Sequence, residues 1–137
     1  MRIVKFAMAG ALLFASSAAF AGVCQNHQEM RRIAIKDAIR LFTPDARSMF
    51  TASGYRHYIQ ALKVSGADPY HPMVSVRGKP RVTGSCKADN IRVQVPISLK
   101  MSSSGHTDTR QDNLSMVFQK TATTPKIKQL VLAFSSS

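Results

Sequence analysis

Ile91-Arg92-Val93-Gln94-Val95-Pro96-Ile97-Ser98-Leu99-Lys100-Met101 alternates apolar and polar side chains without a miss. Successive strand residues point to opposite faces, so this run reads as one long, half-buried strand with a wet face. Pro96 has no N–H for a ladder and marks an edge or a bulge where the strand bends. Working outward, residues 73–77 alternate and then meet Gly78-Lys79-Pro80, a turn or bulge signal. Residues 83–90 read as a loop carrying Cys86. A turn at 102–105 leads to a strand best seen in Leu114, Met116 and Phe118. After another turn at 121–125, residues 127–134 form a last strand. Its run Leu130-Val131-Leu132-Ala133-Phe134 is apolar enough for a central place.

Upstream the period changes from two to 3.6. Residues 25–42 repeat Met30, Ile33, Ala34, Ala38 and Leu41 at helical spacing, and Ile35 and Ile39 widen that face. Arg32, Lys36 and Arg40 make a basic stripe opposite, the ordinary mark of a solvated face. Thr43-Pro44 predicts a cap and first position for a short helix over 44–50. Ser53 can cap a third helix over 55–64, whose apolar side is Tyr55, Tyr58, Ile59 and Leu62. Ser65-Gly66 ends it, and 67–72 is a polar turn. Helices first and then four consecutive antiparallel strands mean an α+β fold, with N-terminal helices packed on a curved four-stranded sheet.

The N-terminus reads differently. Arg2 and Lys5 precede an apolar run, and Ala19-Phe20-Ala21 is a small-x-small cleavage pattern. Residues 1–21 are therefore expected to be a secretory signal peptide and 22–137 a single periplasmic domain. The apolar run is shorter than the roughly 20 residues a spanning helix needs. A membrane association is expected only if the signal stays uncut. The residues before Cys24, Ala21-Gly22-Val23, do not make a lipoprotein box. Losing Arg2 and Lys5 lowers the formal net charge from +12 to +10. That balance favours acidic partners.

In an oxidising compartment Cys24 and Cys86 are expected to form one structural disulfide. There is no Cys-x-x-Cys for redox chemistry. His27, His57, His71 and His106 are scattered, so no metal site is expected. Among the acids only Asp37 neighbours the apolar arc of the first helix. No Ser-His-Asp constellation can be argued, and neither catalytic residue nor cofactor is expected.

The segment 50–65 (Phe50-Thr51-Ala52-Ser53-Gly54-Tyr55-Arg56-His57-Tyr58-Ile59-Gln60-Ala61-Leu62-Lys63-Val64-Ser65) resembles the signature of the DotI/IcmL family. The matching positions are Phe50, Thr51, Gly54, Tyr58, Ala61, Leu62 and Ser65. Val95-Pro96-Ile97 resembles that family's proline-centred strand, and 130–134 sits where its last strand falls. The resemblance implies a nuclear-transport-factor-like α+β domain, similar to the periplasmic domain of VirB-type inner-membrane assembly factors. It also implies a non-enzymatic scaffold of type IVB (Dot/Icm) secretion or conjugation machinery. Expected partners are other secretion subunits or a second copy. Family members carry a permanent inner-membrane helix, so a removable signal here points to a soluble relative.

On this reading the interface is the exposed side of the 55–64 helix, Arg56, His57, Gln60 and Lys63, together with a sheet edge near Pro96. One alternative is an isomerase-like enzyme or small-molecule binder with a concave apolar pocket holding an acid. The other is a nucleic-acid or anionic-polymer binder using a basic patch of Arg77, Lys79, Arg81, Lys87 and Arg92. No stacking aromatics interleave with that patch.

Overall fold

The alternating run forms the spine of the molecule. In the computed structural model of the protein, residues 22–65, 72–103 and 105–134 are described. They comprise helix α1 (His27–Ile39), a 3-10 turn (Pro44–Met49), helix α2 (Ala52–Ser65), and strands β1 (Met73–Val76), β2 (Arg81–Thr83), β3 (Asn90–Ser103), β4 (His106–Gln119) and β5 (Lys126–Phe134). The proposed signal segment 1–21 and most of the 67–72 turn lie outside the described residues.

All strand pairings are antiparallel, in the order β1-β3-β4-β5, with β2 also pairing to β3. The sheet thus has five strands where the sequence pattern suggests four. Arg81-Val82-Thr83 is too short, with one apolar residue, to show a period. The second departure concerns β5. Its apolar run suggests a central strand, but β5 is an edge and β3 is central. Leu130 and Leu132 turn inward, whereas Val131 is 51% exposed. The edge is closed at its start by a parallel bridge between Phe50 and Ile127.

Ile91, Val93, Val95, Ile97, Leu99, Leu114, Met116, Phe118 and Ile127 line the inner face and are essentially excluded from water. Against them pack Met30, Ala34, Ala38 and Leu41 from α1 and its end, and Met49, Phe50 and Tyr58. Each large side chain buried in this way contributes about 1.5–3 kcal/mol. The arrangement is a curved sheet with its helices on one face.

Local chemistry sets the helix ends. Asn26 Oδ1 accepts the Glu29 N–H at 2.8 Å, while Glu29 Oε1 accepts the Gln25 N–H at 3.0 Å. This reciprocal cap starts α1 two residues later than the apolar pattern does. The far end stops at Ile39, short of the expected residue 42, and Phe42 turns the chain with φ 65°. The expected 44–50 helix is a 3-10 turn. Thr43 does not cap it, because its hydroxyl donates to the Arg40 carbonyl at 2.6 Å. Thr51, not Ser53, caps α2: its Oγ1 accepts the Gly54 N–H at 3.0 Å.

Pro96 is neither on an edge nor at a bulge. The β3–β4 register runs unbroken through Pro96↔Asn113, and the register shift lies instead between Val117 and Phe118, facing β5. The Pro96 carbonyl accepts the Arg77 N–H at 2.8 Å. In an antiparallel ladder a residue's N–H and C=O face the same neighbour. The missing N–H therefore faces the gap between the β1 pairing, which ends at Val76↔Ile97, and the β2 pairing, which runs from Arg81↔Gln94. A central strand tolerates this proline because its neighbour is interrupted there.

Candidate interaction surfaces

The disulfide fixes one end of the domain. Cys24 and Cys86 are bonded across a sequence separation of 62. Beside it the Val23 N–H donates to the Ala88 carbonyl at 3.1 Å and the Cys24 N–H to the Cys86 carbonyl at 3.3 Å. The segment before α1 is thus laced to the β2–β3 loop. A Cβ at Gly22 would collide with the Cys86 carbonyl oxygen, so only glycine fits that approach.

The residues matching the family signature converge at the junction of α2 and β5. Phe50 is buried and stacks on Tyr58 at 4.9 Å, with Tyr55 edge-on at 6.0 Å. The Thr51 N–H donates to the Ile127 carbonyl at 2.9 Å. A Cβ at Gly54 would overlap the same carbonyl, so glycine lets the first turn of α2 sit directly on β5. Tyr58 Oη accepts the Phe42 N–H at 2.8 Å. Leu62 packs against the core, Ala61 is exposed, and Ser65 closes the helix. Phe50, Thr51 and Gly54 dock the start of α2 on β5. Pro96 stands apart from them, half-buried on the opposite face of the sheet.

Arg56, His57, Gln60 and Lys63 are all exposed along α2. The second half of the expected interface changes, since the place near Pro96 is the middle of the sheet's outer face.

The basic patch is brought together in part. Lys79 and Arg81 line a cleft of about 320 Å³ with Gln94, Pro96 and Asn113. Arg92 faces Thr83 in the same ladder and is exposed on the same face. Arg77 is tethered, its Nε donating to the Ile97 carbonyl at 3.0 Å. Lys87 lies beyond the end of the ladder, on the loop carrying Cys86. Gln94 and Asn113 escape a search for charge, although both are outward positions of the alternating pattern.

Two acids are buried among the described residues. Asp37 borders a second cleft of about 210 Å³, with Ile33, Lys36, Arg40, Ser48 and Lys126. Desolvation raises its pKa to about 6, against the opposing pull of Arg40, Lys126 and Lys36. Nearby, Lys126 Nζ donates to the Ser48 carbonyl. Asp112 is the acid that the sequence reading passes over. It is fully buried, and its Oδ2 accepts from Arg110 Nη2 at 3.2 Å and Nε at 3.3 Å. Oδ1 has no hydrogen-bond partner among the described residues. The signal was present, because Asp112 stands two residues before Leu114 and shares its face.

Among the described residues the inner face of the sheet is packed with core side chains. His27 Nε2 lies 2.8 Å from the Gly84 carbonyl, and His106 lies 3.9 Å from Asp108 in an exposed pair. Among the described residues no three His, Cys, Asp or Glu side chains gather as a metal site. Nor does any described helix have the length and hydropathy to cross a membrane.

Helices on one face of a five-stranded antiparallel sheet give the chain an α+β fold similar to that of NTF2-like proteins with a cystatin-like fold. A solved structure of that description from Novosphingobium aromaticivorans superposes with a TM-score of 0.57 at 14% identity, covering 93% of this chain and 87% of its own. Within that class the fold is that of the DotI/IcmL-type periplasmic domain. An IcmL-like type IV secretion system protein from Legionella pneumophila matches with a TM-score of 0.67 at 13% identity, over 82% of this chain and 95% of that one. The periplasmic domain of DotI matches at 0.65 and 19% identity, over 81% and 97%. No protein-family model and no curated protein sequence matches the chain.

Proposed function

We propose that this chain is a non-enzymatic periplasmic scaffold, an interaction protein that works beside a type IVB secretion or conjugation apparatus. The observation that carries the reading is the nearly complete correspondence with two secretion-system domains, 95% and 97% of whose lengths are matched. Fold likeness alone does not define a function, and three further features support the reading. The inner face is occupied by core side chains. The Cys24–Cys86 bond suits an oxidising compartment. The residues that carry the sequence resemblance build a helix–strand junction and leave the polar side of α2 free for a partner.

On this reading residues 1–21 are a cleaved signal and the freed domain is soluble. Its association surface is Arg56, His57, Gln60 and Lys63 on α2. Sedimentation of the exported protein at high concentration, paired with affinity co-purification from its own cells, tests both points. Self-association or recovery of secretion subunits, lost in R56E/K63E, is the expected result. A strict monomer that recovers no such subunit overturns the reading. Intact mass decides the signal: loss of residues 1–21 is expected, and an uncut chain restores a membrane-anchored subunit.

A further inference from the structure

No described helix packs on the outer face of the sheet, and no outward strand position among the described residues carries an acid. Glu29 and Asp37 are on α1, Asp45 is in the 3-10 turn, and Asp89 precedes β3. Asp108 and Asp112 share the inward register of β4 with Leu114. Outward positions of β3 and its neighbours hold Arg81, Arg92 and Lys100 among amides and hydroxyls. One cleft in the face lies over Pro96. There the chain leaves the sheet between β1 and β2, and Lys79, Arg81, Gln94 and Asn113 surround the proline ring.

We infer that this cleft docks an extended acidic peptide segment of a partner protein. The inference rests on the scaffold reading and names the chemistry of its partner. Two cations attract and orient carboxylates. Gln94 and Asn113 each offer both a donor and an acceptor, which matches a peptide backbone, whereas a phosphodiester only accepts. No outward position of the described strands carries an aromatic ring, the platform that single-stranded nucleic acid uses. The exposed large apolar side chains of the face, Met73 and Val131, sit on opposite edge strands and form no patch for lipid.

The test uses the exported protein and three probes: a fluorescein-labelled Glu-rich peptide, a single-stranded oligonucleotide of equal charge, and vesicles containing phosphatidylglycerol. Anisotropy and co-sedimentation are read at about 0.15 M salt, where long-range attraction is screened. Saturable peptide binding is expected. K79E/R81E should weaken it at least about tenfold, and the charge-neutral Q94A/N113A about threefold or more. R32E/K36E changes net charge by the same amount on the exposed stripe of α1 and should leave peptide binding within about twofold. Unchanged melting of the variants shows that they fold. Equal losses in K79E/R81E and R32E/K36E, tighter binding of oligonucleotide or vesicles, or absence of saturable peptide binding each overturn the inference. A chain that binds the peptide but is a lone monomer keeps this site and loses the scaffold reading. One that associates but ignores the peptide does the reverse.

Discussion

The phenolic oxygen of Tyr58 accepts a hydrogen bond from the backbone N–H of Phe42 at 2.8 Å. Phe42 holds φ at 65°, a conformation that favours glycine, and Tyr58 belongs to the stacked pair with Phe50. One side chain thus fixes the turn after α1, the bridge to β5 and the inner face of α2. Tyr58→Phe keeps the ring and removes the acceptor, and should cost about 1–2 kcal/mol. Tyr58→Ala also removes the packing and should cost about 3–5 kcal/mol. Urea denaturation measures both, and a Tyr58→Phe variant as stable as the wild type would show that the hydrogen bond contributes nothing.

The junction at Gly54 predicts a backbone effect. Gly54→Ala places a methyl group against the Ile127 carbonyl, which belongs to the sheet and cannot swing aside. Alanine ordinarily stabilises a helix interior by up to about 1 kcal/mol. Here the sign reverses, with a loss of about 2 kcal/mol or more expected on overpacking. Thr51→Ala removes the cap alone and should cost about 1 kcal/mol. A Gly54→Ala variant that melts at or above the wild-type temperature would contradict the close approach.

Much of this architecture is legible in the sequence, and the failures have physical causes. The β3 period is clear because one face is core and the other water. The same rule, extended back from Leu114, places Asp112 inside. Positions on the β1–β2 side are less legible, because a three-residue strand has no period to read. Pro96 misleads because its missing donor signals only that a neighbour is absent, and an interrupted neighbour satisfies that as well as an edge does. β5 misleads because an edge strand covered by a helix is as apolar as a central one. The outer-face cleft is illegible because two of its polar residues, Gln94 and Asn113, come from different strands and meet only through the β3–β4 register.

The disulfide closes a long loop, so its loss acts mainly on the unfolded chain. Cys24→Ser/Cys86→Ser should lower stability by about 2–5 kcal/mol. Dithiothreitol should lower the melting temperature of the wild type to that of the variant and leave the variant unmoved. An equal effect of the reductant on both proteins would count against the bond as the source.

Asp37 gives the domain a stability that depends on pH. Its folded pKa of about 6 lies above its value in an unfolded chain. The folded state therefore holds the proton more tightly, and the contribution is fully present below about pH 4. It is lost as pH rises through about 6, by on the order of 2–3 kcal/mol. Asp37→Asn mimics the protonated acid, so it should raise the melting temperature at pH 7 and flatten the profile between pH 4 and 7. A wild-type profile that does not fall over that window would contradict the raised pKa.

Arg110 and Asp112 form an unequal pair, and the inequality can be measured. The Arg110 side chain keeps 29% of its surface and Asp112 only 1%. Removing the arginine leaves a buried carboxylate that water does not reach and that already has one unpartnered oxygen. Arg110→Ala should therefore cost about 3–5 kcal/mol, as breaking a buried ion pair does. Removing the acid leaves an arginine that solvent can still reach. Asp112→Leu puts an apolar side chain of similar length beside Ile97, its cross-strand partner, and Leu114, two residues along the same strand face. Its cost should be small or even favourable, because replacing a buried charge with a packed hydrophobe is often neutral or stabilising. Chemical denaturation of both variants and of the double variant separates the terms. With Asp112→Leu in place, Arg110→Ala should cost under about 1 kcal/mol, the exposed-pair range. If Asp112→Leu is instead the more damaging of the two, the carboxylate is held for something other than its arginine.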